Sequence, residues 1–130
     1  MRSARESFVT LLFLAVAAVN LLPGGVAFAP ERAVDLYGIA PLEGDALLLL
    51  MRHRALLLAI VGVLLAVAAF VRSWRTPATV VGLLSMGSFV ALYFVLPTES
   101  SKMADVALID AMAMASLLTT FWLGRERRTD

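Results

Sequence analysis

The sequence contains no cysteine and only one histidine, and charged residues make up just 16% of its 130 residues. Without cysteine the chain can form no disulfide, thiolate metal site or thiol nucleophile. A lone histidine, His53, cannot supply a bis-histidine haem or a three-histidine zinc site. The formal net charge of +1 gives no overall attraction to nucleic acid. We therefore expect neither a metal site nor a nucleic-acid partner.

Hydrophobic residues, in contrast, make up 61% of the chain, whereas an average soluble domain is roughly 45–50% apolar. This excess argues against a soluble enzyme and against a disordered chain. Four apolar stretches each come near the ~20 residues that a helix needs to cross a bilayer. We predict an all-α fold, an integral membrane bundle of four transmembrane helices forming a single domain over residues 1–130. The predicted spans are 8–29, 46–71, 78–96 and 103–123, separated by turns at Pro30–Asp45, Arg72–Pro77 and Pro97–Lys102.

Lysine and arginine are distributed unequally between the two sides of the predicted bundle. Four lie on the side of the loop over residues 30–45, namely Arg32, Arg52, Arg54 and Lys102. The other seven of the 11 lie on the side of both termini, namely Arg2, Arg5, Arg72, Arg75, Arg125, Arg127 and Arg128. The positive-inside rule then predicts that both termini are cytoplasmic and that residues 30–45 form an outer loop.

The N-terminal segment also fits a cleavable signal peptide. Arg2 and Arg5 precede an apolar run, and Ala27-Phe28-Ala29 has the small-residue form of a cleavage site. Pro30 follows this triplet directly, and signal peptidase disfavours proline there. We therefore favour a retained first span, and the other three spans keep the same orientation under either interpretation.

Polar side chains inside the predicted spans are functional candidates, because ionisable groups are costly in hydrocarbon. At 1.5 Å per residue from the outer end of each span, Arg52 lies about 9 Å deep, Asp110 about 10 Å and Asn20 about 12 Å. Tyr93 lies about 5 Å below the outer end of the third span. Three spans thus contribute a polar group to one layer in the outer half, with a phenol just above it.

Helical phase predicts which of these side chains point into the bundle. In the second span Arg52 lies on a stripe of small residues, the kind that lines helix contacts in membranes. Arg54 lies on nearly the opposite face, from which it would extend outward to lipid headgroups, and His53 falls between them. Asp110 flanks the stripe of the fourth span, whereas Asp105 lies on a different face. The stripes of the second, third and fourth spans are Ala55–Ala59–Gly62–Ala66, Ala78–Gly82–Phe89–Tyr93 and Ala107–Ala111–Ala115.

These positions predict a buried ion pair between Arg52 and Asp110, surrounded by His53, Asn20 and Tyr93. Such a pair would form the floor of an outward-opening pocket. Two alternatives stay open. The same polar groups could act only as glue between helices, at about 0.6 kcal/mol per contact. If the second span begins instead at Ala55, the basic triplet 52–54 is an interfacial anchor and the polar layer disappears.

Two short segments resemble a known group of proteins. Leu36-Tyr37-Gly38-Ile39 and Leu50-Met51-Arg52-His53-Arg54-Ala55, followed by an apolar helix, resemble small bacterial four-helix membrane proteins of the DoxX-like group. The resemblance implies a multi-pass protein of the bacterial inner membrane. Some members of the group are linked to quinone-coupled oxidation as small membrane subunits, but no catalytic residue can be transferred to this sequence.

The function predicted from the residues is non-enzymatic binding of a small amphipathic or anionic molecule in the outer half of the bundle. Arg52 would hold the anionic group and Asp110 would hold Arg52, while Asn20, His53 and Tyr93 would supply hydrogen bonds. A second hypothesis is a membrane subunit of a redox complex, in which Tyr93 and His53 would hydrogen-bond a quinone oxygen; otherwise no cofactor is expected. A third is a structural protein whose polar layer fixes helix register. The expected partners are membrane lipid and either a second copy or another membrane subunit.

Overall fold

The computed structural model of the protein describes residues 3–96 and 98–125. The main helices are α1 (Ala4–Gly24), α2 (Arg32–Tyr37), α3 (Asp45–Phe70), α4 (Arg75–Val95) and α5 (Ser101–Arg125). Short 3-10 helices follow α1 at Gly25–Ala27 and precede α4 at Arg72–Trp74. Four helical segments are long and apolar enough to cross a membrane, namely Ala4–Ala27, Asp45–Phe70, Arg72–Val95 and Ser101–Gly124. Four residues used in the predictions lie outside the described part, namely Arg2, Pro97, Arg127 and Arg128.

The four long helices form an antiparallel bundle in which each packs on two neighbours, in the cyclic order α1, α3, α4, α5. One end of the bundle holds the start of α1, the turn between α3 and α4, and the end of α5. We call it the arginine end, because Arg5, Arg72 and Arg75 lie there. The opposite end is covered by α2, and we call it the α2 end. The all-helical class and the four apolar spans predicted from the sequence are thus present.

Helix α1 begins and ends where its sequence favours a helix boundary. Ser3 caps it, since the Ser3 hydroxyl accepts a hydrogen bond from the backbone N–H of Glu6. Pro23 and Gly24 close it, because proline lacks an N–H donor and glycine is a poor helix former. In its most apolar stretch of 18 residues 44% is buried, against 28%, 22% and 22% in the corresponding stretches of the second, third and fourth spans. The first span is therefore the most enclosed helix of the bundle.

The stripe of small residues predicted in the second span does form a helix contact, and its partner is α1. A Cβ atom added at Gly62 would lie 2.6 Å from Leu21 Cγ and 3.0 Å from the backbone oxygen of Ala17. A Cβ added at Gly24 would lie 2.9 Å from Ala59 Cβ. The two backbones can approach this closely only because glycine occupies both positions.

The stripe predicted in the fourth span is wrong. Ala107 is buried, but Ala111 and Ala115 are exposed. The buried residues of α5 are instead centred on Leu117 and Ala113. Alanine occurs on both the buried and the exposed face of α5, so a stripe of alanines does not by itself mark the inner face.

The connection over residues 30–45 is more ordered than the predicted turn. Residues 30–45 contain α2, whose Ala33 and Tyr37 are buried at i and i+4. Gly38 ends this helix in the left-handed conformation (φ 61°), and its N–H donates to Val34 O. Ser100, directly before α5, and Lys102, in the first turn of α5, hold α2 in place. Ser100 Oγ donates to Tyr37 O at 2.7 Å, and Lys102 Nζ donates to Asp35 O at 2.6 Å.

Candidate functional site

A partly open cavity of about 440 Å³ lies inside the bundle, below α2. Its volume falls within the roughly 300–1,000 Å³ typical of small-molecule sites. All five helices contribute to its wall, which is mostly aliphatic and aromatic with a few polar side chains. The polar side chains in the wall are Asn20, Tyr37, Arg54, Ser85, Ser88 and Asp110.

Arg54, not Arg52, is the arginine that faces the cavity. The Arg54 guanidinium carbon lies 5.0 Å from the centroid of the Tyr37 ring and 5.3 Å from that of Phe89. Both distances fall within the range of cation–π attraction. Arg52 is exposed and does not line the cavity. The prediction that Arg52 points inward and Arg54 outward is therefore wrong.

The end of α1 explains this reversal. The small stripe of α3 faces α1, and α1 ends at Gly24, which contacts α3 at the level of Ala55 and Ala59. Arg52 lies beyond that point on the same stripe, where α1 no longer covers it. Arg54 is rotated about 200° from Arg52, and that direction faces the interior. Leu65, which is fully buried, lies within about 20° of Arg54 on the helix.

Asp110 lines the same cavity from α5, as predicted, whereas Asp105 is exposed. Arg54 and Asp110 each lie about 14 Å from the first residue of their helix. Among the described residues, Arg54 and Asp110 form no direct ion pair. The predicted pair between Arg52 and Asp110 is wrong, because Arg52 is outside the wall.

Asn20 forms the inner wall of the cavity from α1, as its predicted depth required. It is buried, and its Nδ2 donates to Val16 O at 3.0 Å and contacts Met86 Sδ at 3.7 Å. These contacts fix the amide between α1 and α4. Its carbonyl oxygen is left as an acceptor.

Tyr37 is a wall residue that the sequence analysis did not assign to the site. Burial raises the pKa of its phenol above the usual 10.0; the nearby Arg54 charge opposes this shift and the Asp110 charge adds to it. The phenol is therefore neutral at physiological pH and can donate a hydrogen bond. The pair Ala33 and Tyr37, at i and i+4 just before Gly38, is a sequence signal for a short helix with one buried face.

His53 and Tyr93 do not line the cavity. His53 is exposed on α3. Tyr93 is half-buried, and its ring packs edge-on against Phe94, with the centroids 5.6 Å apart. Of the five predicted site residues, the structure thus brings Asn20 and Asp110 together and leaves the other three outside. It adds Arg54, Tyr37 and Phe89.

The polar part of the wall offers complementary hydrogen-bonding groups. Arg54 carries only donors, Asp110 as a carboxylate carries only acceptors, and the Tyr37 phenol can do both. Among the described residues, neither Arg54 nor Asp110 has a protein hydrogen-bond partner, and no fully buried side-chain nitrogen or oxygen lacks one. The polar atoms of Arg54 and Asp110 must therefore be accessible to a molecule of water size or larger.

No known protein family matches this sequence, and no curated protein or solved structure matches it either. The fold and the cavity define a class, namely a bundle of four helices long and apolar enough to span a membrane, with an internal cavity that carries one arginine and one aspartate. The function must be inferred from these side chains themselves.

Proposed function

We propose that this chain is a multi-pass protein of the bacterial inner membrane that binds a small amphipathic molecule in the cavity between its helices. Both termini would be cytoplasmic, which places the cavity and α2 toward the outer face. The excess of arginine at the arginine end supports this orientation. We also propose that the chain belongs to the DoxX-like group, because the two short segments over residues 36–39 and 50–55 resemble that group.

The observation that carries this proposal is the unpaired state of Arg54 and Asp110 in a largely apolar cavity. Two opposite charges that served only to join helices would be expected to contact each other, because a buried charge is costly unless it is paired. Here they face a common space of about 440 Å³ instead. The polar end of a bound molecule would lie between Arg54 and Asp110, where the two side chains make no direct contact.

The two other hypotheses have less support. The hypothesis of a quinone-linked subunit required Tyr93 and His53 to hydrogen-bond the quinone, and neither residue lines the cavity. The purely structural role predicted that Arg52 and Asp110 satisfy each other. Among the described residues, neither Arg52 nor Arg54 forms an ion pair with Asp110.

Native mass spectrometry of the protein purified in a mild neutral detergent tests the proposal. We expect a co-purified molecule on the wild-type protein and its loss in Arg54→Gln. Arg52→Gln is the matched control, since it removes the same charge two residues away on the exposed face of α3. If Arg54→Gln and Arg52→Gln retain the same bound molecules, the cavity is not the binding site. A co-purified quinone would support the second hypothesis.

A further inference from the structure

We propose that the molecule bound in this cavity carries no net charge and has a hydroxyl-type polar end that both donates and accepts hydrogen bonds. This inference rests on the proposed function and narrows it. It also departs from the sequence-based expectation, which included an anionic ligand held by an arginine.

The charge balance of the wall is the first reason. Among the described residues, the charged side chains in the wall are Arg54 and Asp110. With both ionised, their charges sum to zero. An anionic ligand would leave the cavity with a net negative charge, and a cationic ligand would leave it positive, in surroundings of low polarity. An unbalanced buried charge is costly, so a neutral ligand is favoured over either ion.

The arrangement of donors and acceptors is the second reason. The rings of Tyr37 and Phe89 lie within cation–π distance of Arg54, and its N–H groups remain to be satisfied. Those N–H groups need an acceptor, while the Asp110 carboxylate needs a donor. A hydroxyl group provides both at one atom, and so could bridge the two side chains. An ether or ester alone would leave Asp110 without a donor, and an ammonium group would leave Arg54 without an acceptor.

The wall also suggests where an apolar tail would lie. At the α2 end the cavity is covered by Tyr37, which is buried. The cavity is partly open, and Leu57 of α3 and Leu92 of α4, which both line it, are 49% and 54% exposed. We place its opening between α3 and α4. A single aliphatic chain could leave the cavity there and continue among the acyl chains of the surrounding lipid.

Three probes with the same chain and different ends test the inference, namely dodecanol, dodecanoate and dodecyltrimethylammonium. Each is titrated into the delipidated protein and followed by native mass spectrometry. We expect dodecanol to bind the wild-type protein about tenfold more tightly than either ion, because each ion unbalances the cavity charge. Tighter binding of dodecanoate would overturn the inference but leave the cavity as the binding site.

Two charge variants make the test specific to the cavity. Asp110→Asn gives the wall a net positive charge and should shift the preference to dodecanoate. Arg54→Gln gives it a net negative charge and should shift the preference to dodecyltrimethylammonium. Asp105→Asn and Arg52→Gln alter exposed charges of the same helices and should leave dodecanol preferred.

The two proposals fail in different ways. If no probe binds, or if every probe binds Arg54→Gln and Asp110→Asn as tightly as the wild type, the proposed function itself is wrong. If the probes bind in the cavity but Asp110→Asn does not change their order, the charge-balance inference alone is wrong. Should one variant fail to fold, the other still decides, since each predicts a shift in an opposite direction.

Discussion

Glu6 joins several helices at the arginine end. Its carboxylate binds Arg72 and Arg75, each at 3.2 Å, and so joins α1 to the turn between α3 and α4. Arg75 also donates to the backbone oxygens of Ala68 and Ala69, which are left free where α3 ends. Arg5 reaches across to Leu123 O in α5. One small cluster therefore fixes the ends of all four long helices.

The two arginines bound to Glu6 differ in burial, and this difference predicts their contributions. The Arg75 side chain is 19% exposed and that of Arg72 is 65% exposed. We expect Arg75→Gln to lower the free energy of unfolding by about 1–3 kcal/mol, because it removes charged hydrogen bonds from a half-buried site. Arg72→Gln should cost at most about 1 kcal/mol, as is usual for an exposed pair. Unfolding by SDS titration, followed by circular dichroism, measures both. Equal losses would show that burial does not decide the strength of these contacts.

Arg54 faces the cavity where the sequence predicted Arg52, and this error shows what sequence analysis could not predict for single residues. Depth could be predicted, because hydropathy locates the spans and each residue adds a fixed rise. The presence of Asn20 and Asp110 in one layer followed from that. The direction in which each arginine points could not be predicted. The stripe of small residues on α3 shows where α3 contacts α1, but it does not show at which residue α1 ends. Where α1 ends, the same stripe becomes exposed.

At the scale of helices, the contact between α1 and α3 is the most extensive in the described part of the bundle, and Gly62 allows the two backbones to approach. We expect Gly62→Ala to lower the free energy of unfolding by about 1–3 kcal/mol, because the new methyl group would meet Leu21 and the backbone oxygen of Ala17. Gly124→Ala is the matched control, since a Cβ added there would meet no atom within 4 Å and alanine favours a helix. SDS titration of both variants gives the comparison. A neutral Gly62→Ala would mean that the two helices separate without cost.

Long helices and short ones differ in how well the sequence predicts them. Each long span is a mostly apolar segment of 24 or 26 residues, so its identity as a helix depends on local composition alone. Helix α2 has six residues, too few to be stable in isolation. It is held by Ser100 and Lys102 from a distant part of the sequence. The sequence likewise predicts a turn over Arg72–Pro77, yet α4 already begins at Arg75, whose guanidinium contacts Glu6 of α1.

The whole molecule is packed unevenly along its length. Near the arginine end a continuous core of Phe13, Val16, Leu65 and Leu117 fills the space between the helices. Toward the α2 end this core gives way to the cavity, above which a smaller cluster around Val26, Ala33 and Tyr37 packs α2 onto the bundle. The tightly packed half near the arginine end holds the helices in register, so that the half near α2 can contain the cavity. A binding site at one end of a bundle needs this division.

The orientation of the whole molecule can be tested because the sequence has no cysteine of its own. Ser73→Cys introduces a thiol on the exposed turn at the arginine end, and Glu43→Cys introduces one on the exposed loop at the α2 end. In intact cells we expect a membrane-impermeant maleimide to label the Glu43→Cys variant and not the Ser73→Cys variant, because the positive-inside rule places the arginine end in the cytoplasm. Both should be labelled once the membrane is permeabilised, which controls for accessibility. The reverse pattern in intact cells would invert the orientation, and labelling of both would show that the chain does not separate two compartments.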